Sequence, residues 1–160
     1  MFNQCNVTAV PLGFCVFAAC LLTTPVWAQG VTAKDAWVRG TVAGQTATGA
    51  FLELKASEHA ALLSVSSPIA GTVEVHEMSM DKGVMKMRAI SRLDLPAGKA
   101  VALKPGSYHI MLMDLKQALK KGDSVPLTLK IEGKDKKLST LEVKAEVREL
   151  TAPPMMDHKH

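Results

Sequence analysis

The sequence predicts an all-β domain, a sandwich or a barrel. Two observations carry this. Apolar and polar residues alternate with a period of two in a series of short runs, and Gly, Pro, Asp and Ser punctuate those runs at close intervals. Only one stretch, residues 114–121, has a helical look, and it is expected to form one or two turns before Gly122 stops it. In chain order the strands are expected at 36–39, around Trp37 and Val38; at 48–54, around Phe51 and Leu52; and at 60–65. They continue at 72–78, where Val73 and Val75 alternate with Glu74 and His76, and at 84–90 and 107–113. They close at 125–131, where Leu127, Leu129 and Ile131 repeat every second residue, and at 138–147. Roughly eight short strands of this kind suit a β-sandwich or barrel.

The chain has 160 residues, 21% charged and 48% apolar, which suits one globular domain. Its formal charge is +4 and aromatic residues make up 4%. The lysines are dispersed and there is no arginine-rich block, so nucleic acid is not an expected partner. Ahead of Lys34, the first charged residue, residues 7–22 are apolar, and Pro25 follows, with Val26 and Ala28 as small residues at a cleavage position. Residues 1–28 are expected to be a secretory signal peptide, although residues 2–20 hold no Lys or Arg. Two alternatives stay open: an uncleaved anchor, and a lipoprotein signal ending at Cys20, since Phe17, Ala18 and Ala19 before it loosely resemble a lipobox. The apolar run is at the short end for spanning a bilayer, which takes about 20 residues. The expectation is therefore a monomeric periplasmic protein without stable membrane insertion. Its domain is 29–150, followed by a flexible tail, 151–160, in which Pro153 and Pro154 precede the last residues. Cys5, Cys15 and Cys20 all fall inside the leader, so the mature chain would carry no disulfide, no thiolate nucleophile and no zinc–cysteine site.

The chemistry of the mature chain lies in methionine and histidine. Apart from the initiator, the methionines fall in three groups, Met78, Met80, Met85 and Met87, then Met111 and Met113, then Met155 and Met156. Each group contains or borders a histidine: His76, His109, and His158 with His160. His59 alone stands apart. A single methionine is ordinarily a core gap-filler, but the strands elsewhere use Val, Leu, Ile and Ala for that purpose. Side chains at i and i+2 of a strand share a face. His109, Met111 and Met113 therefore lie together, as do His76, Met78 and Met80, and also Met85 and Met87. Asp81, Lys82 and Gly83 signal a hairpin turn. A two-residue loop of Asp81 and Lys82 would set His76 opposite Met87, and a bulged three-residue loop would shift that register by one. Thioether is a soft, neutral donor that selects Cu(I), and imidazole is compatible with it. Calcium and magnesium would require oxygen ligands. A blue-copper centre would require a cysteine.

These residues also carry a family resemblance. His76 is followed by ten residues and Met87, then by twenty-one residues and His109-Ile110-Met111. In this the sequence resembles the periplasmic copper chaperones of the PCuAC family, whose signature has that composition and spacing, and the likeness runs from about Val31 to Leu150. The resemblance implies a cupredoxin-like Greek-key β-sandwich that holds one Cu(I) at His76, Met87, His109 and Met111. Met78, Met85 and Met113 are neighbours that could substitute. It implies delivery to the binuclear copper site of cytochrome c oxidase, alongside Sco-type proteins. It also associates the tail, with Met155, Met156, His158 and His160, with a second site, often for Cu(II). A binding protein without turnover is expected. The alternative is a periplasmic copper sequestration or resistance protein with no dedicated client. An enzyme is disfavoured, because no carboxylate pair and no partnered nucleophile stand out.

Overall fold

A computed structural model describes residues 30–149. The expected leader, its cysteines and the tail with Met155, Met156, His158 and His160 lie outside the described residues. The strands are β1 (Val31–Arg39), β2 (Thr48–Ala56), β3 (Ala60–Ser66), β4 (Ala70–Asp81) and β5 (Val84–Ile90). They continue with β6 (Leu93–Leu95), β7 (Ala100–Leu103), β8 (His109–Leu115), β9 (Ser124–Glu132) and β10 (Leu138–Arg148). Hydrogen bonding orders them β5-β4-β8-β2-β1-β10-β9-β3-β6, with β7 also paired to β2. All pairings are antiparallel except β1 with β10.

The open ribbon folds over about one core. Val125, Leu127, Leu129 and Ile131 of β9 turn inward at every second residue and meet Leu52 and Leu54 of β2 with Ile110 and Leu112 of β8 in a single apolar cluster. The two arms therefore form the layers of a sandwich, and β1 joins them. Its residues Trp37 and Val38 pair with β2 on one side and with β10 on the other.

The sequence suggested fewer strands. The two additional ones, β6 and β7, span three and four residues, too short for a period to be legible. β1 begins five residues ahead of its visible alternation because its register shifts between Lys34 and Trp37, where Asp35 takes a positive φ of 47°. The helical turns expected at 114–121 do not form. Asp114 and Leu115 complete β8, and the backbone donors that follow bond outward instead of four residues back. Leu115 N–H donates to the carbonyl of Thr46, Lys116 N–H to that of Ile69, and Leu119 N–H to the hydroxyl of Thr41. Leu119 is thereby anchored with its side chain in the core.

Candidate metal centre

On β8, Ile110 and Leu112 enter the core, so His109, Met111 and Met113 take the outer face of the β5-β4-β8-β2 layer. On β4, Val75 enters the core, which puts Thr72, Glu74, His76, Met78 and Met80 on that same outer face. The β4–β8 register sets His76 directly opposite His109, Glu74 opposite Met111 and Thr72 opposite Met113. The two imidazole centroids are 5.7 Å apart at an interplanar angle of 75°. Although both rings face outward, they are buried, at 8% and 6% exposure.

What covers them comes from β2, β1 and a loop. Phe51 stacks on Trp37 at 4.4 Å between centroids and reaches His109 at 6.5 Å. Gly49 allows this, because a Cβ there would stand 3.0 Å from the Phe51 ring. The β7–β8 loop is tied to β4 by the Met78 N–H, which donates to the Ser107 carbonyl at 3.3 Å. The result is an open cleft of about 280 Å³ floored by His109 and Met111 and walled by Met78, Phe51, Arg39 and Pro105.

The hydrogen bonds assign each ring's free nitrogen. The Glu74 carboxylate lies 2.8 Å from His76 Nε2 and can only accept, so Nε2 carries a proton, and in the neutral ring Nδ1 is the nitrogen with the lone pair. That Nδ1 is buried and has no partner among the described residues. An orphaned buried polar atom is unusual and costs about 1–3 kcal/mol, which a bound metal would offset. His109 is held the other way round: Nδ1–H donates to the Ser107 carbonyl at 3.2 Å, and Nε2 is left for a ligand. The two imidazoles thus face each other, held through opposite ring nitrogens and each aimed by that hydrogen bond.

The hairpin register differs from both readings of the turn. The loop is Lys82 and Gly83, with φ of 50° and 81°, and Asp81 pairs with Val84. His76 therefore lies opposite Ala89, Met78 opposite Met87 and Met80 opposite Met85. A two-residue loop of this kind, type I′, needs positive φ at both positions, and placing Gly83 second meets this at lower cost than Asp81 and Lys82 would. Because the shift is two residues, every methionine keeps its face. Met87 becomes the diagonal neighbour of His76, about 7–8 Å away between backbones and within reach of a long side chain. It is 54% exposed, whereas Met78 borders the cleft.

The fold thus brings His76, His109, Met111, Met78 and Met87 to one region. Met85 lies a further rung toward the hairpin tip, and Met113 lies beyond Met111 on the side away from the hairpin. His59 is elsewhere, in a hollow with Glu58, Lys134 and Asp135. Sequence reasoning missed Glu74, which its position two residues before His76 could have flagged. It also missed Phe51, Trp37 and Arg39, whose place beside the site depends on the order of strands.

Solved structures share this architecture. The apo PCuAC domain from PmoF1 aligns with a TM-score of 0.61 at 18% identity, over 75% of this chain and 94% of that one. Apo-DR1885 from Deinococcus radiodurans aligns at 0.59 and 26% identity, over 93% and 97% of the two chains. The form titled CuI-DR1885 aligns at 0.54 and 29% identity, over 83% and 85%. The domain is a cupredoxin-like β-sandwich of the PCuAC type. A curated protein of Leifsonia xyli subsp. xyli described as "Putative lipoprotein Lxx21020" is 33% identical over 138 residues, covering 81% of each chain. Residues 31–147 match the family described as "Putative lipoprotein LpqE-like", and the chain belongs to that family.

Proposed function

We propose that this protein is an exported copper carrier that holds one Cu(I) at His76, Met87, His109 and Met111 and delivers it to the binuclear copper site of cytochrome c oxidase. The observation that carries the reading is the paired imidazoles, buried side by side with free nitrogens and flanked by thioethers. Among the described residues no three His, Cys, Asp or Glu side chains gather to hold a metal, so a metal at this face would draw on sulfur as well as nitrogen. That donor set favours a soft monovalent ion, and its lack of a thiolate favours release. Met78 is the natural substitute for Met87, its cross-strand partner. The titled Cu(I) form of the Deinococcus protein supports the same metal. Binding and handover, rather than turnover, is the role.

The family's lipoprotein description favours export. Mass measurement of the exported form separates cleavage after Ala28 from a lipid at Cys20. No helix among the described residues is long and apolar enough to cross a membrane. The proposed clients are the oxidase copper subunit and a Sco-type protein, and the tail residues Met155, Met156, His158 and His160 are proposed to take Cu(II).

Cu(I) titration of the exported protein, read by mass spectrometry and X-ray absorption, tests the site. One equivalent with a mixed sulfur and nitrogen shell is expected. His109→Ala and Met111→Leu should weaken it strongly, and His59→Ala should not. Equal losses at His59 and His109 would falsify the assignment. Transfer to a purified apo-oxidase subunit then distinguishes a chaperone from a sequestering protein.

A further inference from the structure

The methionines of the β4–β5 hairpin exceed what one copper site needs. Cross-strand pairing places them on successive rungs of one face: His76 beside His109, then Met78 opposite Met87, then Met80 opposite Met85. Rungs two residues apart are about 7 Å apart along the strand, and directly opposed Cβ atoms are about 5 Å apart. The outermost pair can therefore close on one ion without moving the backbone.

Packing does not account for these side chains. Met80, Met85 and Met87 are 65%, 46% and 54% exposed and make up half of the exposed large apolar residues among those described; Val84, at the start of β5 and on the other face, is 60% exposed. The other layer presents Thr128 and Lys130 outward from β9 and Glu142 and Lys144 from β10. Thioethers at an exposed hairpin tip cost solubility and gain no burial, but they supply soft donors where a metal would first meet the protein. The charged groups nearby are engaged with each other. Lys86 pairs with Asp81 and Arg88 with Glu77, on the face opposite the methionines. That leaves the Met80–Met85 rung without the oxygen donors a hard divalent ion would require.

We propose that Met80 and Met85 form a second, weaker site for a soft monovalent ion, through which Cu(I) enters and leaves the main site by way of the Met78–Met87 rung. The proposal rests on the Cu(I) reading above. Two thioethers alone bind weakly and leave coordination positions open. An incoming ligand can then join before an outgoing one departs, and no bare ion need form between rungs.

The test uses the exported protein with Ag(I), a redox-silent soft monovalent probe, and then Cu(I). Methionine-methyl NMR should show the first equivalent moving Met87 and Met111, and the second moving Met80 and Met85. The double variant Met80→Leu/Met85→Leu keeps the apolar surface and removes both sulfurs. It should still bind the first equivalent, lose the second, and pass Cu(I) to a water-soluble Cu(I) chelator roughly tenfold more slowly. Unmoved Met80 and Met85 methyls, or handover at the wild-type rate, would overturn the proposal. Absence of the first equivalent would sink the copper reading and this proposal together. A first equivalent without a second sinks only this proposal.

Discussion

At the scale of single residues, the proposed centre depends on groups outside the proposed ligand set. Glu74 fixes the His76 tautomer that leaves Nδ1 free, and the Ser107 carbonyl does the same for His109 with the nitrogens exchanged. Removing such a positioning partner typically lowers metal affinity about 10–100-fold, and that loss is expected for Cu(I) with Glu74→Ala in a chelator competition. Glu74→Gln should lose less, because its amide oxygen still accepts from Nε2–H. Nitrogen-15 NMR of the apo protein should show His76 protonated at Nε2 in the wild type and mixed tautomers in the alanine variant. Sequence exposed the proposed donors, because His76, Met87, His109 and Met111 stand out by type and spacing. It did not expose the burial of the imidazoles, which depends on Phe51 folding over Gly49 and on a loop reaching Met78.

At the scale of elements, the hairpin between β4 and β5 sets which sulfurs meet. Its loop requires positive φ at both residues, and Lys82 holds that conformation at a cost that Asn would reduce. Lys82→Asn should stabilise the domain by about 0.5–1 kcal/mol, and Gly83→Val should destabilise it by at least as much, both read from urea denaturation. Period-two alternation made the long strands and their faces legible, including the assignment of Met111 and Ile110 to opposite sides. The hairpin register was not legible, since Asp81, Lys82 and Gly83 are all acceptable turn residues and only the energies of competing loops choose between them. The false helix at 114–121 has a similar origin. Its local pattern is helical enough, but its donors find Thr46, Ile69 and Thr41 across the chain.

For the molecule as a whole, the histidine–methionine face and the far layer are stabilised by different means. β9 contributes to the core over its full length, whereas β6 is a three-residue edge strand held partly by charge. Arg92 bridges Asp94 of β6 to Glu132 of β9, with both nitrogen–oxygen distances at 2.9 Å. Hydrogen bonds from Arg92, and then from Lys136, hold the Glu132 carboxyl below its ordinary value of 4.5. Between the two values the unfolded chain binds more protons than the folded one. The stabilisation is therefore complete above the ordinary value and is lost as pH falls through the lowered one. Arg92→Ala should raise the Glu132 midpoint in a carbon-13 NMR titration and reduce the loss of stability on acidification. The all-β class was visible from alternation alone, which left sandwich and barrel open, but the parallel pairing of β1 with β10 joins the two ends of the described domain and leaves no local trace.

β5 ends the sheet order, and all its residues except Ile90 are exposed. Such a strand opens at much lower free energy than the core, and its amides exchange hydrogen through that opening. Met87 lies in its middle, so at the proposed site the ion ties a frayed edge to the rigid β8. Saturation at a hundredfold excess over the dissociation constant adds about 2.7 kcal/mol to the opening free energy of whatever must release the ion. Hydrogen exchange should therefore slow on loading chiefly in Val84–Ile90, with little change in Ser124–Glu132. Uniform slowing would mean that Met87 is not a ligand. Holding the metal and fastening this edge then become a single equilibrium, and a partner that peels β5 away also loosens the cargo.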